Sequence, residues 1–96
     1  MTRDEAIRKL RAHERDLRAR GVTYLALFGS VARGEAGPES DVDIAVDIAP
    51  GRRFSLIDLA SVQALLSDVL GCETDVVVRE DMGPRLRGAA LLHDVF

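Results

Sequence analysis

Two short polar motifs in the first half of the chain have the composition of a phosphate-binding site. The apolar run of residues 22–28 is typical of a buried strand, and it ends at Gly29, where the missing side chain lets a ligand approach the backbone closely. Ser30 can open a short helical turn whose hydroxyl and free N–H groups hold a phosphate. The sequence therefore predicts a phosphate cradle at Gly29 and Ser30.

A pair of aspartates follows after ten intervening residues. Residues 41–48 alternate between apolar and polar or small side chains, a period of two that is typical of a half-buried strand, so Asp41 and Asp43 project from the same face. Two adjacent carboxylates repel each other unless a cation lies between them, and Mg²⁺ usually takes one or two carboxylates plus substrate phosphates. The two motifs together predict phosphoryl or nucleotidyl transfer.

A third carboxylate is expected if two metal ions are used, and Asp75 is the candidate. It lies near the start of an otherwise apolar predicted strand, residues 73–79. There it could bind the metal ion on the acceptor side and help to deprotonate the attacking hydroxyl. Arg33 either neutralises a phosphate or faces solvent, and the residues leave both open. Asp47 continues the face of Asp41 and Asp43, but its position further along the strand favours a surface role.

The elements that position these residues alternate along the chain. Thr2 and Glu5 form a capping-box pattern that opens a helix closed by Gly21, and Ser55 opens a second helix that ends at Gly71. Pro84 suits the start of a last helix, which we expect to run to about His93. With the three predicted strands, this order indicates one domain over residues 1–96. Its fold class is α/β (α+β), with a small mixed sheet of three to four strands and helices packed on it.

Composition narrows the class of protein. The 96 residues carry a net charge of −3, which argues against a general nucleic-acid binder, so we expect no direct nucleic-acid binding. There is no run of 18 apolar residues that could span a membrane. The single cysteine, Cys72, cannot form an internal disulfide and fits a reducing, cytoplasmic location. His13 and His93 lack the spacing of a zinc site, and Tyr24 is interpreted as a packing residue.

The combination of Gly29-Ser30, ten residues, Asp41-x-Asp43 and a later strand aspartate resembles the signature of the DNA polymerase beta-like nucleotidyltransferase superfamily. The short chain and the stretch from Gly29 to Gly34 resemble its minimal branch, the MntA-like antitoxins. The resemblance implies that Gly29 and Ser30 bind the triphosphate of ATP. It also implies that Asp41 and Asp43 ligate two Mg²⁺ ions and that Asp75 completes the acceptor-side metal site.

The resemblance also implies a biological role. Minimal nucleotidyltransferases of this kind are typically paired with a helical HEPN-family toxin, which suggests transfer of AMP to a toxin tyrosine within a type VII toxin–antitoxin module. Two alternatives stay open. The chain could be a binding antitoxin or regulatory subunit that acts without catalysis, or it could be a nucleotidyltransferase that modifies a small molecule.

Overall fold

The computed structural model describes residues 2–29, 42–81 and 92–96. The chain begins with two short helices, α1 (Arg3–Arg11) and α2 (Glu14–Ala19), followed by strands β1 (Val22–Phe28) and β2 (Val42–Ile48). The longer helix α3 (Leu56–Leu70) then leads to strand β3 (Thr74–Val78), a 3-10 turn (Arg79–Asp81) and the two-residue strand β4 (His93–Asp94). The predicted class, a small mixed sheet with helices packed on it, is confirmed.

The four strands form one sheet in the order β3-β2-β1-β4. β1 pairs antiparallel with both β2 and β4, whereas β2 pairs parallel with β3. The parallel pair is possible because α3 carries the chain from the end of β2 back to the start of β3, which is the crossover that parallel neighbours need. The sheet is therefore mixed, and among the described strands the only parallel pair joins the two that carry Asp43 and Asp75.

Helix α3 is held by local signals that the sequence displays. Ser55 accepts a hydrogen bond from the Asp58 N–H at 3.3 Å, and the Asp58 carboxylate accepts one from the Ser55 N–H at 2.8 Å, so the capping box is complete. Gly71 ends the helix in the left-handed conformation with φ +72°, as a C-terminal glycine commonly does.

One face of the sheet packs against the helices and forms the hydrophobic core. Leu25 pairs with Val46, and Leu27 pairs with Ile44, so alternate residues of β1 and β2 point into the same layer. The helices complete this core with the buried side chains Ala6, Leu10, Leu17, Val62, Leu66 and Leu70. Alternate residues of a strand point to opposite faces of the sheet. Burial of the apolar residues on this face therefore determines which residues of each strand lie on the second face.

The second face of the sheet carries the polar side chains. At one end, Asp43 lies between Phe28 of β1 and Asp75 of β3. At the other end, Tyr24 pairs with Asp47. The two ends are separated by a row of small and apolar residues: Ala26, Ala45 and Val77.

The predicted first helix is wrong in its length. The structure has a break at Ala12 and His13 between α1 and α2, so His13 lies between two helices rather than inside one. The buried stripe of Ala6 and Leu10 would need an apolar residue at position 13 or 14 to continue, and His13 and Glu14 stand there instead. The stripe resumes at Leu17, which α2 buries.

The expectation that the last helix reaches His93 is also wrong, because His93 lies in β4. The N–H of Val95 donates to the Leu25 carbonyl at 2.8 Å, and the N–H of Leu25 donates to the Phe96 carbonyl at 3.1 Å. Pairing with β1 thus extends the chain here, and it buries Val95. The remainder of the predicted helix falls within residues 82–91, outside the described residues. Within the described ranges, no helix has the length and hydropathy needed to span a bilayer.

Candidate active site

Three of the six predicted site residues fall within the described part of the chain. Gly29 directly follows β1, Asp43 lies in β2, and Asp75 lies in β3. Ser30, Arg33 and Asp41 lie outside the described residues, and their roles stay predictions.

Asp43 and Asp75 occupy paired positions on the neighbouring parallel strands β2 and β3. Paired residues on neighbouring strands project from the same face, and hydrogen-bonded strands lie about 4.8 Å apart. The register is held on both sides of this pair, because Val42 pairs with Thr74 and Ile44 pairs with Val76. The structure therefore brings two predicted acids side by side.

The two acids differ in their surroundings. Asp43 is half-buried between its neighbours on β1 and β3, whereas Asp75 is exposed. Thr74, immediately before Asp75, is buried and donates its hydroxyl to the Cys72 carbonyl at 3.2 Å. This bond anchors the start of β3, so the backbone that carries Asp75 is fixed although its side chain is open to solvent.

Gly29 completes this end of the sheet. β1 pairs Phe28 with Asp43, so the next residue, Gly29, lies beside the Asp43 side chain. Gly29 has φ +73°, a left-handed backbone conformation that residues other than glycine rarely adopt. A Cβ atom at this position would overlap the Asp43 carboxylate. The glycine predicted from the sequence to admit a ligand is thus also a close neighbour of a predicted metal ligand.

The donor set at this end of the sheet fits Mg²⁺. Carboxylate oxygens are hard ligands, and Mg²⁺ typically takes one or two protein carboxylates and fills its other positions with water and phosphate oxygens. Asp43 and Asp75 supply two such groups from one face. In the part of the chain that the structure describes, no group of three or more His, Cys, Asp or Glu side chains could hold a metal ion. The third predicted ligand, Asp41, lies outside that part.

A second polar cluster, which sequence reasoning missed, lies at the opposite end of the same face. It consists of Tyr24, Asp47, Arg79 and Asp94, one side chain from each strand or its end, and we call it the four-strand cluster. The Arg79 Nε donates to Asp47 at 3.0 Å and its Nη2 donates to the other carboxylate oxygen. The Arg79 guanidinium also lies over the Tyr24 ring, 4.3 Å from its centre.

Tyr24 connects this cluster to β4. Its hydroxyl donates a hydrogen bond to the Asp94 carboxylate. Burial raises the pKa of Tyr24 to about 12, and the hydrogen bond to Asp94 acts in the same direction. The sequence predicts a packing role for Tyr24, and its ring does pack beneath Arg79, but its hydroxyl also makes a polar contact. The sequence held a partial signal, since the two-residue period placed Asp47 and Arg79 on the face of the predicted catalytic acids.

Comparisons with known proteins agree on one family. Residues 7–94 match the family described as nucleotidyltransferase domain. The chain is 37% identical over 83 residues to the protein adenylyltransferase MntA of Thermococcus cleftensis, covering 85% of this chain and 82% of that protein. It is 39% identical over 71 residues to a candidate protein adenylyltransferase of Methanocaldococcus jannaschii, covering 74% of each chain.

A solved structure gives the same result at the level of the fold. A candidate minimal nucleotidyltransferase superposes on this chain with a TM-score of 0.77 and 34% sequence identity, covering 92% of this chain and 88% of that one. The mixed four-stranded sheet and its helices therefore have the arrangement of that protein.

Proposed function

The chain belongs to the nucleotidyltransferase domain family and is a nucleotidyltransferase, and from this premise we propose that it moves AMP from ATP to a partner protein in the presence of Mg²⁺. The acceptor in this proposal is a tyrosine of a helical HEPN-family toxin, which makes the enzyme the antitoxin of a type VII module in the cytoplasm. The observation that carries the proposal is the in-register pairing of Asp43 with Asp75 beside Gly29.

The three acids would have different roles, which follow in part from their exposure to solvent. Asp41 and Asp43 would hold both Mg²⁺ ions, and Asp75 would complete the acceptor-side site. When bound, Mg²⁺ neutralises triphosphate charge and makes an acceptor hydroxyl more acidic. Asp43 is half-buried and fixes one side of the site, whereas the exposed Asp75 can be reached by a large acceptor. Gly29 and Ser30 would hold the triphosphate where β1 ends.

The proposed reaction is a single displacement at the α-phosphorus of ATP. The acceptor oxygen forms a bond to that phosphorus, the bond from it to the bridging oxygen breaks, and pyrophosphate leaves with that electron pair. The acceptor proton passes to Asp75 or through it to solvent, because this carboxylate lies on the exposed side of the pair. Asp43, half-buried beside Gly29, orients the reacting groups.

The choice of a protein as the acceptor rests on the relatives. Several of the similar proteins, including MntA of Thermococcus cleftensis, are named as protein adenylyltransferases. The exposed position of Asp75 is compatible with such an acceptor, since an acceptor hydroxyl on a folded surface could reach it without entering a deep pocket.

The test is to incubate the chain with ATP, Mg²⁺ and the protein encoded beside it, and to measure the partner's intact mass. We expect an increase of one or more AMP units, mapped to a tyrosine by peptide sequencing. Asp43→Asn should abolish the increase, and Asp68→Asn, which removes an exposed carboxylate on α3, should retain it. A partner that stays unmodified by active enzyme would refute the protein-acceptor proposal.

The same variants separate the alternatives. If Asp43→Asn still neutralises the toxin while AMP transfer is lost, the chain acts by binding rather than by catalysis. If label from ATP appears only in a small-molecule fraction of a cell extract, the acceptor is not a protein. Loss of neutralisation by Asp43→Asn in a complex that still forms supports AMP transfer as the mechanism.

A further inference from the structure

Gly29 lies so close to Asp43 that its lack of a side chain affects where the Asp43 carboxylate can lie. A Cβ atom built on Gly29 would overlap Oδ2 of Asp43 and would lie 3.2 Å from its Cγ and 3.5 Å from its Cβ. The conflict is therefore confined to the end of the Asp43 side chain, because 3.5 Å is an ordinary van der Waals distance. The space that a methyl group would take at position 29 is the space that this carboxylate occupies.

The end of the Asp43 side chain can move, and this determines the expected effect of a substitution at Gly29. An alanine at position 29 would cause the Asp43 carboxylate to rotate about its side-chain bonds rather than force β1 and β2 apart, because the backbone and Cβ of Asp43 do not conflict with it. The rotated carboxylate would point differently relative to Asp75. The sheet would keep its structure, whereas the relative geometry of the Asp43 and Asp75 carboxylates would change.

We propose that Gly29 is a positioning residue for the Asp43 carboxylate, in that its lack of a side chain leaves the space for the orientation in which Asp43 meets a cation together with Asp75. This role is separate from contact with the triphosphate, and its link to catalysis rests on the proposed nucleotidyl transfer. Outer-shell partners that orient a metal ligand typically contribute about 10- to 100-fold to metal affinity. We expect a loss of that size when the methyl group is added.

The chain contains its own matched controls for the backbone effect. Gly51 has φ +77° and Gly71 has φ +72°, nearly the value of +73° at Gly29, and a Cβ at either position would meet nothing within 4 Å. Alanine at any of the three sites pays the same conformational penalty, about 1 kcal/mol. Only at Gly29 does the new methyl group meet a predicted metal ligand, so a difference between Gly29→Ala and Gly51→Ala isolates the contact with Asp43.

The first measurement needs no metal and no turnover. Three-bond NMR couplings to Cγ of Asp43 report its χ1 angle in this 96-residue chain. We expect Gly29→Ala to move Asp43 to a different rotamer or to average it over several, and Gly51→Ala to leave the wild-type couplings unchanged. Unchanged Asp43 couplings in a folded Gly29→Ala protein would overturn the proposal.

The second measurement is the affinity for Mn²⁺, followed by electron paramagnetic resonance in place of Mg²⁺. We expect Gly29→Ala to weaken Mn²⁺ binding by about 10- to 100-fold, as far as an outer-shell change typically does, with Gly51→Ala near wild type. Equal Mn²⁺ affinities in the two variants would contradict the proposal. If wild type binds Mn²⁺ but transfers no AMP, the proposed function fails while the comparison of these variants still decides the role of Gly29. If wild type binds no Mn²⁺, the proposed cation role of Gly29 is overturned whatever the couplings show.

Discussion

Asp43 and Asp75 stand in register on the only parallel strand pair of the described sheet, with their side chains on the face opposite the hydrophobic core. Since the pair is built from β2 and β3, it depends on α3 to carry the chain between them. Two carboxylates at neighbouring positions repel each other, and a cation between them relieves that repulsion. This relationship makes several properties of the protein measurable.

The first prediction concerns stabilisation by Mg²⁺. A cation that binds the folded chain and not the unfolded one should raise the Tm as the cation concentration increases. At ~100 times its Kd, it should add about 2.7 kcal/mol to the free energy of unfolding. Asp75→Asn should reduce this dependence, because it removes one of the two carboxylates that the structure pairs in register. Thermal denaturation followed by circular dichroism over a Mg²⁺ series measures the dependence for both proteins. A Tm of Asp75→Asn that rises with Mg²⁺ as steeply as that of wild type would contradict this interpretation.

The second prediction separates Asp47 from Asp43 and Asp75, the predicted catalytic acids on the same face. Asp47 is engaged by both guanidinium contacts from Arg79, and the two side chains are 29% and 35% exposed, so the ion pair is only partly screened by solvent. Asp47→Asn should lower the unfolding free energy by about 1 kcal/mol and leave the rate of AMP transfer within a few-fold of wild type. Urea denaturation and a transfer assay on the same protein check the two parts. A large loss of transfer in a stable Asp47→Asn protein would place Asp47 in the active site.

The third prediction uses the single tyrosine. Because the chain has no tryptophan, the absorbance change at high pH reports Tyr24 alone. The folded protein should titrate with a pKa of about 12, above the ordinary value of 10.0, and Asp94→Asn should lower it because the carboxylate that accepts the phenol proton is gone. The folded pKa is raised, so the stabilisation by Tyr24 is complete below the unfolded pKa and is lost as the pH rises through the folded one. A pKa that is the same in wild type and in Asp94→Asn would show that the bond between Tyr24 and Asp94 does not form.

Local patterns explain which parts of this fold were predictable. The two-residue alternation of β2 placed Asp43 on the face opposite Ile44, because that period is a property of the strand alone. The complete capping box and Gly71 gave the ends of α3 for the same reason. The parallel pairing of Asp43 with Asp75 is different in kind, since it depends on which strands become neighbours. The sequence supported it only through the place of the acidic Asp75 in an apolar strand and through the resemblance to a family.

Two features escaped sequence reasoning because tertiary contacts create them. β4 has only two residues, too few for a periodic signal, and it exists because β1 offers an edge that the backbone of Val95 and Phe96 can pair with. The four-strand cluster escaped for a related reason, because Tyr24 and Asp94 lie far apart in the sequence and meet only once β4 is in place. Ser30, Arg33 and Asp41 stay predictions from the sequence.

The most direct test of the account asks whether Asp43 and Asp75 act as one unit in nucleotidyl transfer. The measurement is the rate at which label passes from α-³²P ATP to the partner protein, for wild type, Asp43→Asn, Asp75→Asn and the double variant, with γ-³²P ATP as the control for phosphoryl transfer. We predict that each single variant loses at least about 100-fold and that the double variant is no slower than the worse single one, because groups that act together are not additive. Transfer at the wild-type rate by Asp75→Asn, or losses that multiply in the double variant, would contradict a shared site.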